Sequence, residues 1–81
     1  MAKTFHLTIA KVGENLFDGE SQEATLPGAD GVFTILAEHE AFVTPLKRGT
    51  VAVTDAEGKK HSFEITQGVA EVSGNQATIL L

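Results

Sequence analysis

The sequence contains no cysteine, so neither a disulfide framework nor a thiolate metal site can form. Basic residues are also scarce, because six Lys and Arg side chains stand against eleven Asp and Glu and give a formal net charge of −5. The only adjacent basic pairs are Lys47-Arg48 and Lys59-Lys60. Binding to a phosphate backbone depends on clustered Lys and Arg, so we expect no nucleic-acid partner.

Long apolar runs are absent as well. No segment approaches the ~20 apolar residues that a membrane-spanning helix needs. His6 and Thr8 interrupt the first apolar stretch, which excludes an unbroken signal-peptide core there. We therefore expect a chain that is soluble when isolated, does not insert into a membrane and reaches one only through other proteins.

The chain is small, and its composition sets a limit on its stability. Its 81 residues, 42% of them hydrophobic, can form one core. A domain of this size buries only about 60% of the surface that its unfolded chain exposes, so it has little stability in reserve and can depend on a partner. No repeat, linker or low-complexity tract divides the sequence, which predicts a single domain over residues 1–81.

Apolar and polar residues alternate with a period of two along most of the chain, as in half-buried strands. Phe5, Leu7 and Ile9 share one face. Gly58 ends the turn 55–58 and is available for a positive φ, which predicts a hairpin. Strands are predicted at 5–9, 22–26, 32–36, 42–46, 51–53, 63–65, 69–73 and 76–80. With no long helical period, the pattern predicts an all-β fold, a small β-sandwich or flattened barrel of eight to ten mostly antiparallel strands.

Histidine is the only candidate nitrogen ligand for a metal, and the three histidines stand far apart in the sequence. A zinc site needs three or four converging ligands. Glu38-His39-Glu40 has suitable atoms, but neighbouring residues rarely aim at one ion, so a solvated polar loop is the favoured interpretation. We expect no metal and no cofactor.

Catalytic candidates are equally weak. Two carboxylates among Asp18, Glu20 and Glu23 could act as an acid/base pair. Alternation, however, places Glu23 on the solvent-facing side of its strand, and we interpret all three as solubilising charges. No serine has the glycine context of a nucleophile elbow. A small enzyme would need convergent polar side chains in a pocket, and the sequence nominates none, so we expect no catalytic residues.

The glycines at 28 and 31 raise the question of a phosphate loop. Such a loop leads from a strand into a helix and carries Lys followed by Ser or Thr. Here the segment leads into 32–35, a predicted strand, so a tight turn is the better interpretation. We expect no tight nucleotide binding.

The order and spacing of several motifs are more specific. Residues 26–36 read LPGADGVFTIL, His39, Leu46 and Gly49 follow, and residues 68–75 read GVAEVSGN. From Thr4 to Leu80 this pattern resembles the amino-terminal β-sandwich of the epsilon subunit of F-type ATP synthase. That resemblance implies a non-catalytic part of the central rotor, at the cytoplasmic face of the bacterial inner membrane.

In that family the sandwich binds the gamma subunit and rests on the c-ring, so that proton or sodium flux drives ATP synthesis. The resemblance places the c-ring contact in two loops, and the matching residues here are Asp30, Gly31, Val32, Glu38, His39 and Glu40. Members often carry an acidic residue where Val32 stands, so that charge contact is absent here, and Asp30 and Glu38 are the candidates to replace it.

Family members usually continue into a carboxy-terminal helical hairpin that can inhibit hydrolysis, whereas this sequence stops where its last predicted strand stops. The resemblance therefore implies either a naturally short epsilon subunit or a truncated epsilon subunit, in both cases without the inhibitory hairpin. The alternative is a free-standing β-sandwich module or assembly factor that binds proteins and has no part in rotary catalysis, because a fold alone does not fix function.

Overall fold

The computed structural model describes residues 3–38 and 40–81, and every regular element in these two ranges is a strand. In chain order the strands are β1 Phe5–Lys11, β2 Glu14–Gly28, β3 Gly31–Leu36, β4 Phe42–Leu46, β5 Gly49–Asp55, β6 Lys60–Ile65, β7 Gly68–Ser73 and β8 Gln76–Leu80. No helix in the described ranges is long and apolar enough to cross a membrane. The predicted all-β fold of eight to ten mostly antiparallel strands is confirmed, with eight strands in the described ranges.

The strands form one continuous hydrogen-bonded sheet that folds over at β2. The first layer contains β4, β7, β8, β1 and the first half of β2, in that order, and β1 pairs with β8 in parallel. In the second layer, the second half of β2 lies between β3 and β5, and β6 lies outside β5. The pairing register shifts between Ser21 and Glu23, where β2 passes from one layer to the other.

The predicted strand at 22–26 was too short, because β2 begins at Glu14. Ile9 pairs with Phe17 and Ala10 with Asn15, so Leu16 is an extra residue between them. Such a bulge breaks the alternation of a strand. Residues 14–21 are also rich in Asp, Glu and Gly, which are depleted in strands, and their pairing with β1 decides their conformation.

The core lies between the two layers and draws on both. As predicted, Phe5, Leu7 and Ile9 face inward and are fully buried, and they meet Leu26 and Ile79 from β2 and β8. Burial of each such side chain stabilises the fold by about 1.5–3 kcal/mol relative to exposure.

The predicted hairpin after β5 is present, and Gly58 has a φ of +84°. The Asp55 carboxylate accepts hydrogen bonds from the backbone N–H groups of Glu57 and Lys59, each at 2.9 Å, and contacts His61 Nε2 at 2.9 Å. The hydrogen bond to His61, followed by that to Lys59, holds the pKa of Asp55 below its usual 3.8. The carboxylate thus stabilises the turn by accepting hydrogen bonds from its backbone N–H groups.

Candidate functional site

A groove of about 490 Å³ lies between the start of β3 and β4. Asp30, Gly31 and Val32 line one wall, and Glu40 lines the other. Four of the six residues predicted as a partner-binding site therefore surround one groove. Val32 is 71% exposed, so the wall presents an apolar side chain to solvent beside the Asp30 carboxylate.

The floor of the groove is aromatic. The half-buried rings of Phe33 and Phe42 meet edge to face, with centroids 5.5 Å apart, an arrangement that the charge distribution of aromatic rings favours. Gly28 adjoins them. A Cβ on Gly28 would lie 2.9 Å from ring atoms of Phe33 and 2.7 Å from the carbonyl oxygen of Gly31. The absence of a side chain at Gly28 therefore allows Phe33 to pack against the backbone.

Glu38 is held at the opposite end of β3 from Asp30, across a strand of six residues that spans about 20 Å. Its backbone N–H donates to Asn75 Oδ1 at 2.8 Å, and its Oε2 lies 3.3 Å from Lys3 Nζ. Its φ of 62° is in the left-handed region that few non-glycine residues adopt. The turn between β7 and β8 thus anchors the loop after β3. His39, the sixth predicted residue, lies outside the described residues.

A charged cluster that the sequence did not reveal occupies the outer face of β1 and β2. His6 pairs across the strands with Glu20, and Thr8 with Asp18. His6 Nε2 lies 2.5 Å from Asp18 Oδ1, and His6 Nδ1 lies 3.2 Å from Glu20 Oε2. The hydrogen bond to Asp18, followed by that to Glu20, raises the pKa of His6 above its usual 6.5. Asp18 and Glu20 are therefore partners of a histidine rather than isolated solubilising charges.

The cluster is open to solvent, since the His6 side chain is 45% exposed. Thr4 donates a hydrogen bond to Glu20 at 2.9 Å on the same open face. An acid/base site depends on a pocket that excludes water and positions a substrate, and this cluster is exposed to water. Glu23 is exposed elsewhere on β2, as predicted. Within residues 3–38 and 40–81, no group of three His, Asp or Glu side chains has the geometry of a metal site.

An apolar row crosses the outer face of the first layer. Strand pairing aligns Pro45 with Val69, Val69 with Leu80 and Leu80 with Ala10. Val69 is 42% exposed and Leu80 is 55% exposed. We call these four residues the apolar row. Contiguous exposed apolar surface commonly marks a site of protein–protein contact. The sequence carried a signal for it, because apolar residues occupy outward positions in three predicted strands.

Comparison with known proteins gives one family match along nearly the whole chain. A family model described as "ATP synthase, Delta/Epsilon chain, beta-sandwich domain" matches residues 4–81. The ATP synthase epsilon chain of Hyphomonas neptunium is 34% identical over 80 residues, which are 99% of this chain and 59% of that protein. The epsilon chain of Chlorobium limicola is 37% identical over 78 residues, which are 96% of this chain and 89% of that protein. The chain thus spans between about three fifths and nine tenths of these two relatives.

Solved structures give the same fold. A chain in the Euglena gracilis mitochondrial ATP synthase structure containing OSCP, F1 and the c-ring matches with a TM-score of 0.89 and 26% identity, over 95% of this chain and 49% of that one. A chain in the Tetrahymena thermophila mitochondrial structure of the central stalk and c-ring matches with a TM-score of 0.77 and 17% identity, over 98% of this chain and 63% of that one. At that identity the second match concerns the fold alone.

Proposed function

The chain belongs to the family of ATP synthase delta/epsilon chains, whose β-sandwich domain matches residues 4–81, and from this we propose that it is an epsilon-type subunit of the central rotor of an F-type ATP synthase. In this role it links the gamma subunit to the c-ring and supports the coupling of proton or sodium flux to ATP synthesis. The family match along nearly the entire chain carries the proposal.

The subunit would be non-catalytic. The cavity between β3 and β4 is an open groove, and the His6 cluster is exposed to solvent on the outer face of β1 and β2. The function would be mechanical, because a close-packed β-sandwich resists deformation and transmits strain. Residues 3–38 and 40–81 contain only strands and the turns between them, and we propose that this β-sandwich couples the rotor. Its place would be in a peripheral complex at the cytoplasmic face of the bacterial inner membrane.

We assign the gamma contact to the apolar row. Its Val69 and Leu80 are paired neighbours and both project from the outer face. None of the four residues of the apolar row carries a charge. We expect this contact to depend on burial of apolar surface, and therefore to persist at high salt.

We assign the c-ring contact to Asp30, Gly31, Val32, Glu38, His39 and Glu40, as the resemblance implied. Asp30, Val32 and Glu40 support this assignment because they line one groove and are exposed. Exposed ion pairs are each worth about 0.2–1 kcal/mol and weaken with salt. Three such pairs would change the affinity on the order of 3- to 150-fold at low salt.

Neutralisation of the carboxylates tests the c-ring assignment. Asp30→Asn, Glu38→Gln and Glu40→Gln in one variant should weaken attachment to the c-ring more at low salt than at high salt, and should leave gamma binding nearly unchanged. The matched control is the triple variant Glu14→Gln, Glu23→Gln and Glu57→Gln, which changes the net charge equally at other exposed positions. Equal loss of attachment in both variants would contradict the assignment.

Reconstitution tests the function itself. Rotor assembly and ion-driven ATP synthesis are measured with gamma and the c-ring, in the presence and the absence of this chain. We expect coupled synthesis to require it. If assembly and coupling are the same in both preparations, the rotor function is wrong, and the alternative of a free-standing protein-binding module becomes the better account.

A further inference from the structure

Within residues 3–38 and 40–81, four stretches of the folded sheet have no strand paired on their outer side: β6, β3, residues 43–45 of β4, and the first half of β2. Three of them carry features that commonly prevent unwanted strand pairing. β6 contains Lys60 and Glu64, β4 contains Pro45, and the first half of β2 contains three carboxylates and a bulge. β3 reads GVFTIL, without a charge or a proline. It is the unprotected edge of the described sheet.

Pro27 shows which backbone groups of β3 face outward. It pairs with Val32, and its carbonyl accepts a hydrogen bond from the Lys47 N–H at 2.9 Å, on the side of β2 away from β3. Proline has no N–H, so Pro27 and Val32 form a non-hydrogen-bonded pair. Such pairs alternate with hydrogen-bonded ones along an antiparallel ladder. Val32, Thr34 and Leu36 therefore direct their N–H and C=O groups to the free edge.

A side-chain contact supports this register. Thr34 pairs with Thr25, and their hydroxyl oxygens lie 3.0 Å apart. Side chains of non-hydrogen-bonded pairs come closer than those of hydrogen-bonded pairs, so a direct contact between the two hydroxyl groups agrees with this register.

Apolar surface adjoins this edge. On the outer face Val32 is 71% exposed and Leu36 is 53% exposed. The groove, which Val32 also lines, opens beside the same edge, and its floor contains the half-buried rings of Phe33 and Phe42. A strand added beside β3 would cover Val32 and Leu36 and close the groove.

The charges at the two ends of β3 restrict the occupant. Asp30 precedes the strand and Glu38 follows it, and both are exposed. A second copy paired symmetrically about Thr34 would place Asp30 opposite Glu38 of the other copy at both ends of the ladder, so like charges would disfavour a homodimer; the exposed contact of Lys3 with Glu38 reduces this repulsion without removing it. A partner strand that ends in Lys or Arg would meet Asp30 at one end, and at the other end Glu38, which it would share with Lys3.

We propose that the free edge of β3 binds an extended segment of a partner protein as an added strand, one with alternating apolar residues and a cationic residue at each end. The outward backbone groups of Val32, Thr34 and Leu36 would bind its main chain, and the groove would receive its apolar side chains. The proposal goes beyond the rotor function and does not depend on it, because the test uses the isolated chain.

The probe is the peptide acetyl-Lys-Thr-Leu-Thr-Leu-Thr-Arg-amide, titrated to millimolar concentration into the ¹⁵N-labelled chain. We expect chemical shift changes centred on β3 and slower hydrogen exchange at Val32, Thr34 and Leu36. At a peptide concentration about ninefold above Kd, exchange should slow about tenfold, since only the free fraction exchanges. A peptide with Glu in place of Lys and Arg should bind about two- to fivefold more weakly at low salt, and by a smaller factor at high salt.

Two variants separate the edge from the rest of the surface. Thr34→Pro removes an outward N–H and no hydrogen bond to β2, and should weaken binding at least about tenfold. Val32→Lys places a cation on the edge and should weaken binding about fivefold or more, whereas Val12→Lys, at a fully exposed turn residue, should not. Circular dichroism and amide shifts outside β3 report the fold of each variant.

Three results would overturn the proposal. The first is the absence of shift changes in β3 at millimolar peptide, or changes centred on another edge such as β6. The second is unchanged binding in a folded Thr34→Pro variant. The third is self-association of the chain through β3, detected by sedimentation, which would make a second copy the occupant.

Discussion

Replacement of Gly28 by Ala should destabilise the protein, because β2 has no room for a side chain where it meets the groove. The added Cβ would lie 2.7 Å from the Gly31 carbonyl oxygen and 2.9 Å from the Phe33 ring, closer than such contacts allow. Forcing extra atoms into a packed site costs about 1–3 kcal/mol. A chain of 81 residues has a total stability of about 4–12 kcal/mol. The loss is therefore large enough to measure by equilibrium urea unfolding.

Gly19 provides a matched control on the same strand. A Cβ there would meet only a Phe17 ring atom at 4.0 Å, an ordinary contact. Gly19→Ala should therefore be neutral or stabilise the chain by about 0.4–1 kcal/mol, through the reduced freedom of the unfolded chain. The melting temperature of Gly28→Ala should fall by about 4–8 °C per kcal/mol lost. If Gly28→Ala unfolds at or above the wild-type midpoint, the reasoning about close packing at the groove is wrong.

Three further predictions follow from side-chain contacts. The pKa of His6 is raised above 6.5, so its contribution to stability is fully present below pH 6.5 and is lost as pH rises through the higher folded pKa. The difference in unfolding free energy between wild type and His6→Gln, measured by urea unfolding, should therefore shrink over that range. A difference that grows would contradict the stabilising contact of His6 with Asp18 and Glu20. The pKa of Asp55 is lowered below 3.8, so its contribution to stability is present above pH 3.8 and is lost as pH falls through the folded pKa. Asp55→Asn should therefore be less stable than wild type at neutral pH and should lose less stability on acidification. The control Glu57→Gln should show neither effect. The Ser21 hydroxyl is buried without a hydrogen-bond partner among the described atoms, so Ser21→Ala should be neutral or stabilise the chain by about 1 kcal/mol in the same assay, and a large loss would reveal an unseen partner.

The sequence predicted the core because alternation reports directly which face of a strand is buried. Phe5, Leu7 and Ile9 are buried as their spacing indicates. It failed at residues 14–21, where the bulge at Leu16 interrupts the alternation and the β1 partner decides the conformation. The His6 cluster was missed for the same reason, since its carboxylates reach His6 only through that pairing.

The candidate site was predicted in part. The tight turn after Gly28 was identified from Gly and Pro chemistry, and it leads into β3 rather than a helix. The sequence could not show that Glu40 shares a groove with Asp30 or that the Glu38 backbone binds Asn75. Both arrangements depend on contacts between segments that are distant in the sequence. Strand edges are likewise invisible in a single sequence, since the alternation that identifies β3 does not say which side of it is paired.

One wall of the groove begins at a turn that is hydrogen-bonded to β4, and this affects how the groove can bind a partner. The Ala29 N–H donates to the Pro45 carbonyl at 3.0 Å, and the Lys47 N–H donates to the Pro27 carbonyl at 2.9 Å. These two hydrogen bonds fasten the turn between β2 and β3 to β4. A surface that is already ordered loses little conformational entropy on binding. Contacts made by Asp30 and Val32 therefore need not offset the entropy cost of ordering a loop. This favours the start of β3 as a docking surface, although each of its exposed contacts is individually weak.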